Sequence, residues 1–251
     1  VANYFSFQLS LSYQSQNHMF CSMKLKNISY AHITDEELFE FLKKRSDSDI
    51  SFTGVSKSCC VGVVDIVNST AITAKLSSAN MCEYYSIFLN AMSKIVRSYG
   101  ATIVKNLGDS LLYYFPNTRD GEDEFALVEV LDCGLRIMDS HKVINQILAE
   151  SGLPSLDYRI SADYGMVSIA SLNSKPDAED MFGPTVNLCS KLNGTANPNS
   201  MVIGGDLHQL VRSVKSYEFI PIGHYMLGLK LNYPAYLVRR ARSQKWYSYV
   251  L

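Results

Sequence analysis

A single carboxylate set inside an apolar run restricts this chain more than any other feature. Residues 59–67 read Cys-Cys-Val-Gly-Val-Val-Asp-Ile-Val, a length that suits a buried strand, and only Asp65 interrupts it. An ionised acid in a buried strand is costly unless it is paired or bound to a metal. A second acid, Asp109, follows in Leu107-Gly108-Asp109-Ser110, between strand-like segments at 102–105 and 111–115. That pattern is a hairpin signal, and taken alone Asp109 is ordinary turn chemistry. Brought together, the two carboxylates would repel, and a hard divalent cation with oxygen ligands would relieve the repulsion.

The remaining periodicity predicts alternating helices and strands. Thr34 followed by Glu37 is a capping box that opens a helix over 35–44, with Leu38, Phe41 and Leu42 on its apolar face. The polar run 45–51 reads as a linker. It marks off an N-terminal extension (1–55) from a main domain (56–240), and a basic, aromatic tail (241–251) follows. Met81, Tyr85, Phe88, Leu89, Met92, Ile95 and Val96 recur at helical spacing, with Gly100 as the stop. One long helix is expected over 122–150, a strand over 158–169, a polar loop over 173–179 and a helix from Pro184 to Leu192. Short strands follow at 201–203 and 235–238, and alternation over 5–11 allows another.

Composition narrows the function class. Lys plus Arg is 23 and Asp plus Glu is 24, so overall charge gives no ground for a nucleic-acid partner. With 47% hydrophobic and 19% charged residues, the chain is neither collagen-like nor mainly disordered. No run approaches the roughly 18 apolar residues of a membrane-spanning helix. The six cysteines form no C-x-x-C pair and fit buried thiols in a reducing compartment. The five histidines lack metal-ligand spacing. The expectation is a cytoplasmic protein with no membrane span and no nucleic-acid partner.

Three segments then occur in order: Val-Asp-Ile-Val-Asn-Ser-Thr at 64–70, Val-Lys-Asn-Leu-Gly-Asp at 104–109, and Asp-Met-Phe-Gly-Pro-Thr-Val-Asn-Leu-Cys-Ser-Lys at 180–191. Gly165 closes a strand between the second and third. This succession resembles the catalytic domain of the class III adenylate and guanylate cyclases over residues 56–240. The resemblance implies an α/β fold: an α+β sandwich whose ferredoxin-like, antiparallel-rich central sheet is flanked by helices. It further implies that Asp65, Asp109 and the backbone carbonyl of Ile66 hold two Mg2+ or Mn2+ ions per site. Asn68, Ser69 and Thr70 fall where the family's loop offers amides to phosphates.

Lys105 and Asp180 match the positions at which adenylate cyclases read adenine, the lysine donating to N1 and the carboxylate accepting from the exocyclic amine. Guanine presents the opposite pattern, so the resemblance implies ATP as substrate. Asn187 matches the asparagine that orients the ribose, and Lys191 takes the place of the transition-state arginine. Lys230 is the best match to the lysine on the terminal phosphates, although Leu227 falls where many relatives carry Lys.

Lys191 is the main departure, because lysine keeps the charge but lacks the planar fork of arginine. Asn68-Ser69 stand where many family members carry Gly-Phe. Asp163, ahead of Gly165, is a candidate for pairing with a nearby cation. In the family the metal aspartates come from one subunit and the base-reading and transition-state residues from the other. This chain carries both halves, so a homodimer with two shared sites is implied. The implied reaction is attack of the ribose 3′-hydroxyl of ATP on the α-phosphate, giving 3′,5′-cyclic AMP and pyrophosphate with metal assistance. Two other readings stay open: a cyclase using GTP or a pyrimidine nucleotide, and a nucleotide-binding regulatory domain without turnover.

Overall fold

Two units divide the chain, Val1–Asp47 and Ser48–Leu251, and the computed structural model describes residues 33–44, 50–172, 175–225 and 233–241. The strand allowed over 5–11, Lys230 and the tail beyond Ala241 lie outside the described residues. In the first unit, helix α1 (Asp35–Lys44) starts at the expected capping box. Glu37 N–H donates to Thr34 Oγ1 at 3.2 Å, and Thr34 N–H donates back to Glu37 Oε2 at 2.9 Å, which satisfies two of the helix's free donors.

Among its described residues the second unit is built on eight strands. Strand β1 (Ile50–Ile66) starts ahead of the boundary expected at residue 56. It is followed by β2 (Thr102–Leu107), β3 (Ser110–Phe115), β4 (Tyr158–Leu172), β5 (Lys175–Phe182), β6 (Ser200–Gly204), β7 (Tyr217–Tyr225) and β8 (Tyr233–Arg240). Their order is β2-β3-β1-β4-β6-β8-β7, with β5 paired to β4. Among the described residues only β4 and β6 run parallel. Helices α2 (Ser69–Thr73), α3 (Ser78–Ser98), α4 (Glu124–Asp139), α5 (His141–Glu150), α6 (Pro184–Asn193) and α7 (Gly205–Val211) complete the unit.

Strand β1 explains its own apolar run, because it is covered on both faces. Cys60, Val64 and Ile66 pack into the main core with Tyr84, Phe88 and Met92 of α3 and Leu131 of α4. Cys59, Val61 and Val63 join a second cluster with Leu112, Val167, Met181 and Cys189 of α6. Each fully buried side chain of this size contributes roughly 1.5–3 kcal/mol. Alternation puts Asp65 on the second face, the one α6 covers.

Two expectations are corrected. The helix expected over 122–150 is two helices, broken at Ser140. The Ser140 hydroxyl donates to Ile137 O at 2.6 Å, and Tyr158 OH donates to the same carbonyl at 2.6 Å. Ser140 keeps near-helical angles (φ −76°, ψ −9°), so the apolar period runs through the break without a signal. The polar loop expected over 173–179 is mostly β5, since pairing with β4 outweighs polar composition. Strand β7, unread in the sequence, pairs with β8. Among the described residues no helix is long and apolar enough to cross a membrane.

Candidate active site

Asp65 lies one residue from the end of β1, opposite Ser110 of β3 on one side and Arg159 of β4 on the other. The β2–β3 turn carries Asp109 beside Gly108, whose φ of +66° suits glycine. Ile66 N–H donates to Asp109 O at 3.4 Å, which lays the hairpin tip against the end of β1. Asn68, in left-handed conformation (φ 56°, ψ 30°), then turns the chain into α2. There the Ser69 hydroxyl donates to Asp109 Oδ2, and the Thr73 hydroxyl donates to Ser69 O at 2.9 Å.

Burial and the neighbouring acid perturb Asp65. Burial pushes the Asp65 carboxyl up to about 6, the Asp109 charge adds to the rise, and Arg159 opposes it. The carboxylates with the Ile66 carbonyl are a set of hard oxygen donors, which fits Mg2+ or Mn2+. Among the described residues no third His, Cys, Asp or Glu joins them. Arg159 belongs to this cluster although the sequence reading passed over it. Among the described residues its Nε is buried with no hydrogen-bond partner, and its charge acts on Asp65. The available signal was an arginine between Tyr158 and Ile160, both buried in the core.

Lys105 and Asp180 form a second group. Lys105 Nζ lies 2.5 Å from Asp180 Oδ2, joining β2 to β5 across 75 residues of sequence. Asp180 Oδ1 accepts from Met181 N–H at 2.8 Å, and Lys105 Nζ stands 5.5 Å from the centre of the Phe182 ring. The lysine is 36% exposed and the aspartate 19%, so the pair sits at the surface with its polar edge accessible.

Helix α6 carries the third group. Gly183, at φ 136° and ψ 175°, leads into Pro184 at the helix start, and a Cβ there would lie 3.2 Å from Met166 O. The buried side of α6 presents Thr185, Cys189, Leu192 and Asn193. Asn193 Nδ2 donates to Val63 O and to Arg159 O, both at 3.1 Å, and Ser161 donates to Cys189 O at 2.9 Å. These bonds seat the helix on the sheet face that carries Asp65. Asn187 and Lys191 are exposed, half a helical turn away from that buried side. With Gly183, Pro184 and Leu188 they line a cavity of about 340 Å3.

The expected residues thus fall into three sets, and Asn187 and Lys191 lie on the side of α6 opposite the one seated on the sheet face that carries Asp65. Among the described residues Asp163 has no cationic partner: it is fully buried and accepts from Tyr233 OH at 2.8 Å, Tyr164 N–H at 2.9 Å and Leu207 N–H at 3.3 Å. Those bonds fasten α7 and β8 to β4.

A sequence profile for a family described as the adenylate and guanylate cyclase catalytic domain matches residues 54–240. A soluble guanylate cyclase, gcy-31, of Caenorhabditis elegans is 20% identical over 188 residues, covering 71% of this chain and 26% of that protein. An adenylate cyclase of Streptomyces coelicolor is 24% identical over 149 residues, covering 59% of this chain and 33% of that protein. The chain therefore spans about a quarter to a third of the length of these curated relatives. Among solved structures, the adenylyl cyclase CyaB of P. aeruginosa superposes with a TM-score of 0.67 at 22% identity, covering 75% of this chain and 97% of that one.

Proposed function

This chain belongs to the adenylate and guanylate cyclase catalytic-domain family, and we propose that it is a nucleotide cyclase that converts ATP to 3′,5′-cyclic AMP and pyrophosphate. The choice of ATP is carried by the Lys105–Asp180 contact at 2.5 Å. An ammonium donor beside a carboxylate acceptor matches the N1 acceptor and exocyclic amine donor of adenine. Guanine offers a donor and then an acceptor at the same places and would meet both groups with the wrong sign. Before substrate arrives the two side chains satisfy each other, so adenine exchanges one charge-assisted pair for two contacts of its own.

The acids are proposed to hold the cations. Mg2+ or Mn2+ held by Asp65, Asp109 and the Ile66 carbonyl supplies Lewis-acid activation of the 3′-hydroxyl and neutralises charge on the leaving pyrophosphate. Arg159 adds a fixed positive charge beside the acids, where a triphosphate would lie. Asn68, Ser69 and Thr70 border that place. Asn187 orients the ribose, Lys191 lends charge to the α-phosphate, and Lys230 takes the terminal phosphates.

The direction in which α6 faces supports a site shared between two copies. Asn187 and Lys191 turn away from the sheet face holding Asp65, so one chain does not close a site by itself. Leu107 and Met166, 50% and 63% exposed, give the hairpin and β4 apolar surface for a second copy. Asp109→Ala and Asn187→Ala proteins should each be inactive alone and regain part of the activity when mixed, through one intact composite site. Mixed proteins that form heterodimers and stay inactive would overturn the shared-site reading. Lys191 in place of an arginine favours one other reading, a domain that binds nucleotide without turnover, and ATP binding with no pyrophosphate release would select it.

A further inference from the structure

We infer that Ser69 is a positioning residue that fixes the carboxylate of Asp109 for cation binding, an inference that rests on reading Asp65 and Asp109 as the metal acids. Serine in the first turn of a helix ordinarily bonds nearby backbone. Here the hydroxyl instead crosses to Asp109, 40 residues away, on a different element. Ser69 is only 5% exposed, so little water competes for that bond. The residue is itself held: its carbonyl accepts the Thr73 hydroxyl at 2.9 Å, and Tyr85 OH lies 3.5 Å from Thr73 Oγ1. The chain Tyr85–Thr73–Ser69–Asp109 therefore ties α3, α2 and the β2–β3 turn together.

The need for such a tie follows from the place of Asp109. It stands at a hairpin tip beside exposed Gly108, where the last torsion of an aspartate is broad and its carboxylate swings freely. A hydroxyl bond to Oδ2 stops that rotation and leaves Oδ1 for a cation. It does so without a competing positive charge, so the acid keeps its full attraction for the ion. Groups that orient a metal ligand in this way commonly govern affinity by 10- to 100-fold.

The test is titration of the full chain with Mn2+ alone, following the free-ion signal by electron paramagnetic resonance, with thermal unfolding to check that each variant is folded. Ser69→Ala should lose about tenfold or more in Mn2+ affinity, and Ser69→Thr, which keeps the hydroxyl, should stay near wild type. Ser69→Cys keeps the size but donates weakly and should fall with alanine. Cysteine binding Mn2+ like wild type would reduce Ser69 to packing and overturn the inference, as would alanine binding like wild type. Asp109→Asn separates the two levels. If it loses Mn2+ while Ser69→Ala does not, only the positioning role fails. If wild type binds no Mn2+, or Asp109→Asn binds as well as wild type, the metal reading falls and Ser69 with it.

Discussion

At Asp65, burial and the facing Asp109 both favour the protonated acid and lift its pKa from the ordinary 3.8 to about 6. The folded chain then holds this proton more tightly than the unfolded chain does. The metal-free protein therefore loses stability as pH rises from about 4 through 6, and the loss is complete above that window. Asp65→Asn removes the penalty. In chelator it should raise Tm at pH 8 by about 2–4 °C, the equivalent of about 1 kcal/mol, and much less at pH 4. Thermal unfolding at the two pH values checks this, and an equal rise at both would point to packing instead. The same substitution should abolish turnover. At the proposed base-reading pair, Lys105→Ala removes a charge-assisted hydrogen bond of about 1.5–3 kcal/mol. Steady-state kinetics should show kcat/KM for ATP falling about 10- to 100-fold, with a smaller loss for GTP. Asp65 was legible because an acid in an apolar run violates the local pattern. Arg159 was not, since a single charge at a strand start is unremarkable until the register places it beside Asp65.

Among the elements, those with local punctuation were readable and those made by pairing were not. Thr34 and Glu37 announce α1, Gly108 the β2–β3 turn, and Gly183-Pro184 the start of α6. Strand β5 is polar, and its strand character comes from the ladder with β4, which no local window contains. The break at Ser140 hides for the opposite reason, as its backbone stays close to helical. Gly183 tests how tightly α6 is aimed. Its φ of 136° and ψ of 175° fall in a region that essentially only glycine adopts, and an added Cβ would approach Met166 O at 3.2 Å. Gly183→Ala should therefore cost about 1–3 kcal/mol. By turning α6 it should also lower kcat more than Asn187 and Lys191, both intact, would suggest. Thermal unfolding and kinetics on the same preparation separate the two effects.

For the molecule as a whole, the sheet does two things at once. Its helix-covered face supplies the core, and the face under α6 gathers Asp65 and Arg159 at one end of β1 and β4. The family and the sheet-and-helix architecture were readable from three ordered segments. The resemblance paired Asp65 with Asp109 and Lys105 with Asp180, but the Lys105–Asp180 contact itself is seen only where residues 75 apart in sequence meet, and the outward side of α6 only once its buried side is seated on the sheet. The proposal that two copies of this chain cyclise ATP joins the Lys105–Asp180 contact, the Asp65–Asp109 cluster and the outward side of α6. The measurement that tests it most directly is incubation of purified protein with ATP, GTP, CTP or UTP in Mn2+ and then Mg2+, with cyclic nucleotide and pyrophosphate quantified. Cyclic AMP and pyrophosphate in equal amounts from ATP, and far less product from the other three, is the predicted result. No product from any nucleotide, with the dimer intact and ATP bound, would contradict it.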